Sequence, residues 1–167
     1  MAKTKTLDDL FLDTLKDIYY AEKQILKALP KMAKGAQNSK LKQGFEKHIA
    51  QTEGQIARLE EVFGIIGQTA RGKKCEAIEG IIEEGNSILE DYKGTAAADA
   101  GLISAAQAVE HYEITRYGTL KRWAETLGHN KAVKLLNQSL EEESQTDEDL
   151  NTIAEEANAT AMEGIAA

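Results

Sequence analysis

Leu7, Phe11, Leu15, Ile18, Glu22, Ile25, Leu29 and Met32 recur three or four residues apart, the repeat of a helix that buries one face along its whole length. Seven of these eight positions are apolar, and Glu22 is the exception. Burying an ionised carboxylate costs several kcal/mol unless something compensates it. Three more stretches of the chain show the same lapse near the middle of an apolar stripe, so the interruptions read together as one site.

The first helix starts near Thr6, whose hydroxyl can cap it, with Asp8 and Asp9 in its first turn. It runs to about Lys34, and Pro30 is expected to kink or loosen its last turn. After a turn over residues 35–39, with Ser39 as candidate cap, a second helix carries Leu41, Phe45, His48, Thr52, Gln55, Leu59 and Val62, ending around Gly64 to Gly67. A shorter third helix spans about Lys73 to Tyr92. A fourth covers about Ala97 to Leu127, with Ile103, Ala106, Glu110, Glu113, Tyr117, Leu120 and Ala124 in register and Gly128 as its left-handed stop. The fifth begins near Asn130 and presents Ala132, Leu136, Ser139, Glu143, Asp147, Leu150 and Ala154. The tail after Asn158 is small and weakly patterned, and is expected to fray. The single proline and the abundance of helix formers point to an all-α protein. The 167 residues suit one domain over 1–167.

A constant offset of 91 positions (113 minus 22) lays the first helix pair over the last. It pairs Glu22 with Glu113, Leu29 with Leu120 and Ala33 with Ala124, and continues across the turn to pair Phe45 with Leu136 and Leu59 with Leu150. This favours a duplicated helical hairpin joined by the third helix as a crossover, hence a four-helix bundle with a long middle connection.

Composition removes several functions. A net charge of -8 argues against nucleic acid, whose affinity comes from clustered Lys and Arg, and only Arg71-Gly72-Lys73-Lys74 forms a small basic spot. No apolar run approaches the ~18 residues of a membrane span. Cys75 is the single cysteine, so no intrachain disulfide forms, and a reducing compartment is expected. Met1-Ala2-Lys3-Thr4-Lys5 leads into an amphipathic helix rather than a signal sequence, so a cytoplasmic location is expected.

The bundle topology predicts where the polar seam residues meet. Stepping up one helix and down its antiparallel partner puts Glu22, Glu113 and Glu143 at one height, with Thr52 level with them. His48, Glu110 and Asp147 lie three or four residues away, a shift of ~4.5 to 6 Å. Five carboxylates in a dry seam cannot all stay ionised; protons, water or metal must compensate. Carboxylates with one imidazole suit iron, manganese or zinc, and bridging carboxylates allow one or two ions. The candidate ligands are therefore Glu22, His48, Glu110, Glu113, Glu143 and Asp147, with Thr52 and Gln55 completing the lining. Asp147 is the weakest of these, because Gln145, Thr146 and Glu148 beside it read as a solvated stretch. His48 alone would more often be a hydrogen-bonded core histidine, and the acids on the other helices reverse that preference. Within Glu141-Glu142-Glu143 only the last is singled out by register, the rest reading as a solvated face. Cys75 reads as a small residue at a packing contact, ahead of a thiol activated by the helix terminus, and Tyr19, Tyr20, Tyr112 and Tyr117 as core and rim packing, ahead of redox-active or hydrogen-bonding neighbours of the site.

Tyr20-Ala21-Glu22-Lys23-Gln24, Ala28-Leu29-Pro30-Lys31, His48 followed by Thr52-Glu53-Gly54-Gln55, Cys75-Glu76-Ala77-Ile78-Glu79-Gly80, Val109-Glu110-His111-Tyr112-Glu113 and Leu140-Glu141-Glu142-Glu143 with Thr146-Asp147 span nearly the whole chain. In these segments it resembles the YciF-type bacterial stress proteins, a branch of the ferritin-like superfamily. The resemblance implies a four-helix bundle with one short extra helix, a homodimer and a stress association. The superfamily's metal sites use one Glu on each of two helices and Glu-x-x-His on each of the other two. Glu22 and Glu113 match the single acids, whereas the paired positions read Thr52-x-x-Gln55 and Glu143-x-x-Thr146, without histidine. The resemblance therefore does not carry over oxidase, peroxidase or iron-storage activity. Ala77, Gly80 and Gly85 on the third helix permit close approach, which places the expected homodimer contact on helix 73–92. Two functions compete: a stress-associated protein binding metal within the bundle, and a non-enzymatic structural protein or dimeric interaction module with a degenerate metal site.

Overall fold

The computed structural model describes residues 4–163. Met1-Ala2-Lys3 and the end of the tail, 164–167, lie outside the described residues. Five helices follow in order: α1 (Leu7–Gly35), α2 (Ser39–Ile65), α3 (Glu76–Asp91), α4 (Ala98–Thr126) and α5 (Asn130–Glu163). No strand occurs among the described residues.

Thr6 caps α1 in a reciprocal box: its Oγ1 accepts from Asp9 N at 3.3 Å, and Asp9 Oδ2 accepts from Thr6 N at 2.9 Å. The helix runs unbroken through Pro30 to Gly35 rather than loosening there. Asn38, not Ser39, caps α2. Its side-chain oxygen accepts from Lys40 N and Leu41 N, while Ser39 is already helical. Asp99 accepts from Gln37 N and Asn38 N at 2.8 and 2.7 Å, which ties this turn to the start of α4. Helix α3 starts at Glu76, later than Lys73, because Lys73 N is held by Lys16 O at 3.1 Å as the chain crosses α1. Gly128 takes the expected positive φ, 78°. Helix α5 does not fray after Asn158. It continues to Glu163, with Ala157 buried and Glu156 paired to Lys40 at 2.8 Å on the first turn of α2.

Pairings along the helices set their directions. Lys40 meets Glu156, Lys47 meets Asp149 and Arg58 meets Glu142, so α2 and α5 are antiparallel. Phe11 packs on His129 and Glu22 meets Tyr117, so α1 and α4 are antiparallel as well. Lys121 reaching Asn137 and Gln107 reaching Asn151 make α4 and α5 antiparallel, which leaves α2 and α4 parallel, as the long crossover requires. Four helices thus close a ring, with α3 packed outside it against α4 and α1. This is the ferritin-like four-helix bundle with a short crossover helix.

The core runs the length of the ring through Phe11, Leu15, Ile18, Ile25, Leu41, Phe63, Leu120 and Leu136, all essentially inaccessible. Each such side chain contributes about 1.5–3 kcal/mol by leaving water. Gly85 of α3 faces Ala105 of α4, where an added Cβ would sit 3.5 Å from the alanine methyl, so this glycine serves packing within the chain. Ala77 and Gly80 remain on the outward side.

Candidate metal centre

The polar interruptions converge at mid-bundle. His48 on α2, Glu110 and Glu113 on α4 and Glu143 on α5 each offer one ligand atom, and these four atoms lie within 4.8 Å of one another. His48 Nδ1 is 3.0 Å from Glu110 Oε1, and its Nε2 is 3.4 Å from Glu143 Oε2 and 3.9 Å from Glu113 Oε2. Glu22 enters from α1 beside Glu113, where its Oε1 accepts the Tyr117 hydroxyl. All five are at most 3% exposed.

Hydrogen bonding satisfies only part of this cluster. Glu22 Oε2, Glu110 Oε2, both Glu113 oxygens, Glu143 Oε2 and His48 Nε2 have no aligned partner. The 3.4 Å approach of His48 Nε2 to Glu143 is therefore a contact of charges rather than a directed bond. A buried polar group left unsatisfied costs ~1–3 kcal/mol, and native interiors hold few of them. Here six share one small volume. The donor set, three or four carboxylates and an imidazole with free lone pairs facing inward, fits iron, manganese or zinc.

Without a cation, protons hold the charge down. Burial, reinforced by the Glu143 charge, pushes the Glu22 carboxyl up to about 8 against the Tyr117 hydrogen bond. Burial and the neighbouring carboxylates Glu143, Glu22 and Glu110 push Glu113 well above the usual range. Glu110 is also raised by burial, despite His48 beside it. Burial alone would lower His48, but Glu110 and Glu143 outweigh it and raise the imidazole well above its ordinary value. Glu143 alone moves the other way. Its burial is offset by the His48 imidazole and Glu110 close beside it and by the Gln55 hydrogen bond, which leave it below the ordinary value. The raised carboxyls and the raised imidazole beside them both lower the net negative charge that the buried cluster carries.

A second layer of contacts holds the ligands in place. Thr52 Oγ1 donates to His48 O at 2.8 Å, one turn back on α2. Gln55 Nε2 donates to Glu143 and, at 3.2 Å, to Glu142, while Arg58 engages Glu142 and donates to Ser139 Oγ at 3.0 Å. Sequence reading missed Arg58 and treated Glu142 as solvated face. The available signal was Arg58 one turn beyond Gln55 on the same helix. Tyr117 is buried in the core as its packing reading expects, and its hydroxyl also donates to Glu22, the hydrogen-bonding alternative.

Asp147 is not brought into the cluster. Its Oδ2 lies 3.2 Å from Nε2 of the exposed His111, and its Oδ1 accepts from Gln107 at 3.1 Å. The buried face of α5 steps from Glu143 to Thr146 by three residues, where the sequence reading stepped by four. Cys75 is buried at the start of α3 with Sγ 3.1 Å from the Tyr112 hydroxyl, a packing position as expected.

A family model described as a domain of unknown function, DUF892, matches residues 6–163. The chain belongs to the DUF892 family. It is 47% identical over 151 residues to protein YciF of Escherichia coli K12, covering 90% of this chain and 91% of that one. The crystal structure of the E. coli stress protein YciF superposes with a TM-score of 0.89 at 45% identity, covering 93% and 99% of the two chains. YcfI from Rhodopseudomonas palustris matches with a TM-score of 0.87 at 47% identity, over 90% and 96%. The DUF892 bundle in this chain thus carries a buried His/Glu cluster, and none of its described helices is long and apolar enough to cross a membrane.

Proposed function

We propose that this chain is a stress-associated, cytoplasmic metal-binding protein, with iron as the first candidate and manganese or zinc as alternatives. His48, Glu110, Glu113 and Glu143 are the ligands of one ion, and Glu22 is placed to share Glu113 with a second. The observation that carries the reading is the set of six unpartnered buried polar atoms on these five residues. A bound divalent ion supplies Lewis acidity and, for iron or manganese, redox capacity. The chain's own residues hold it: Gln55 orients Glu143 directly, Arg58 holds its neighbour Glu142, Tyr117 orients Glu22, and the closed core excludes bulk water. The single cysteine supports the reducing location. A homodimer along the outward face of α3, around Ala77 and Gly80, completes the proposal. Sedimentation of the protein at two ionic strengths tests it, because Glu76, Glu83 and Glu84 flank that face.

Elemental analysis of protein purified without chelators tests the metal reading. Under about a tenth of an ion per chain, even after anaerobic iron or manganese addition, would sink it. Glu113→Ala should lose metal and keep helicity; unchanged metal retention would refute the ligand assignment. A second reading, a non-enzymatic structural protein with a remnant site, draws on the raised carboxyls, which let the cluster stay nearly neutral without any ion. A dimeric interaction module would instead show partner capture that survives loss of metal.

A further inference from the structure

Along the seam between α2 and α5, polar side chains continue from the buried cluster out to solvent. Past Gln55 they close on one another: Arg58 engages Glu142 and donates to Ser139 Oγ at 3.0 Å. Nearer the start of α2 they do not. A cavity of about 20 Å³ there has Lys47, Gln51, Thr146 and Asp149 in its walls and also touches His48 and Glu110. Exposure falls steeply along it. The Lys47 and Asp149 side chains are 56% and 46% exposed, whereas His48 and Glu110 are 3% and 1%.

Three buried polar atoms of this lining lack a partner: Gln51 Oε1, Glu110 Oε2 and His48 Nε2. Thr146 spends its hydroxyl proton on Glu142 O at 3.0 Å, which leaves its oxygen able only to accept. At the mouth, Lys47 pairs with Asp149 at 3.2 Å, an exposed contact of the weak kind that opens readily. Gln145 donates to the other Asp149 oxygen at 3.0 Å, so the carboxylate keeps its place when Lys47 leaves.

A cation leaving water needs lone pairs at every step, because an unpaired charge in an apolar interior is very costly. A buried water needs ~10–15 Å³, so this space takes one water or one largely dehydrated ion. Asp149 at the mouth, Gln51 Oε1 within and Glu110 Oε2 at the buried end are acceptors that replace the lost hydration in turn. Arg58, by contrast, fixes a positive charge in the polar stretch beyond Gln55 and makes that stretch a poor way in.

We infer that this opening is the route by which a divalent cation reaches the cluster, with the Lys47–Asp149 pair as its gate and Gln51 as the group it meets in passage. The inference rests on the metal reading above. It concerns the rate of loading, whereas the ligand set fixes the final content.

Cobalt(II), which absorbs visibly once bound by protein groups, separates the two. Chelator-treated full chain mixed with cobalt(II) in a stopped-flow instrument yields both the rate and the final absorbance. Lys47→Met removes the cation at the mouth and frees Asp149, so loading should be several-fold faster. Asp149→Asn and Gln51→Leu should each slow it several-fold, and all three should reach the parent's final content. Lys40→Met makes the same charge change on the same seam, at the pair with Glu156 and away from the cavity, and should load at the parent's rate. Parent rates in every variant, or equal acceleration by Lys47→Met and Lys40→Met, overturn the route and leave the metal reading standing. A lower final content in Gln51→Leu overturns it too, by making Gln51 a ligand rather than a passage. A parent chain that never takes up cobalt removes the metal reading, and the route with it.

Discussion

Stability of the metal-free protein should fall as pH rises, and Glu22 sets much of the slope. Its carboxyl is pushed from an ordinary 4.5 up to about 8 in the folded state, so between those values the folded chain binds more protons than the unfolded chain. Unfolding free energy then decreases with rising pH, by roughly 1 kcal/mol per pH unit for one such group. The penalty is absent below about pH 4.5 and complete above about pH 8, with a ceiling of about 5 kcal/mol. Glu110, Glu113 and His48 are also raised and add in the same direction. The depressed Glu143 acts with opposite sign, in the acid range below its ordinary value. Urea unfolding followed by circular dichroism, in chelator, between about pH 5 and about pH 8 reads this slope. Glu22→Gln keeps an oxygen for the Tyr117 hydroxyl and removes the titration, so its profile should be flatter than the parent's by up to roughly 1 kcal/mol per pH unit. Added manganese should reverse the parent's trend, because its ligands bind as carboxylates and affinity rises with pH. Equal slopes for parent and variant, or parent stability that climbs with pH in chelator, would refute the reasoning.

Arg58→Ala should cost about 1–3 kcal/mol, since it strips Glu142 and Ser139 of a half-buried partner, and should weaken metal retention without abolishing it; thermal melts with and without chelator separate the two effects. Asp147→Asn should leave metal content unchanged and cost under about 1 kcal/mol, because its contacts are with exposed His111 and with Gln107; a variant that loses metal would place Asp147 back among the ligands.

Helix register was readable wherever the buried face kept a simple step. The stripe of α1 is buried from Phe11 to Met32 as its spacing implies, and the repeat that pairs Glu22 with Glu113 survives as two acids on facing helices. Boundaries depended on partners distant in sequence. Asn38 caps α2 from a turn that Asp99 anchors, and α5 stays helical past Asn158 where Ala157 is buried and Glu156 meets Lys40. The same limit explains Asp147 and Arg58. A step of three or four residues places a side chain equally well on a sequence pattern, and only packing of α5 against its neighbours selects Thr146 over Asp147.

The chain's own order of residues determines the helices, their antiparallel hairpins and the need to compensate several buried acids, because periodicity and the cost of burying charge are local properties. Tertiary structure alone decides that His48 reaches three carboxylates from two other helices, that Tyr117 is committed to Glu22, and that a cavity between α2 and α5 touches the cluster. Those facts depend on side-chain direction across helices, to within an ångström or so, which no spacing along a single strand of sequence encodes.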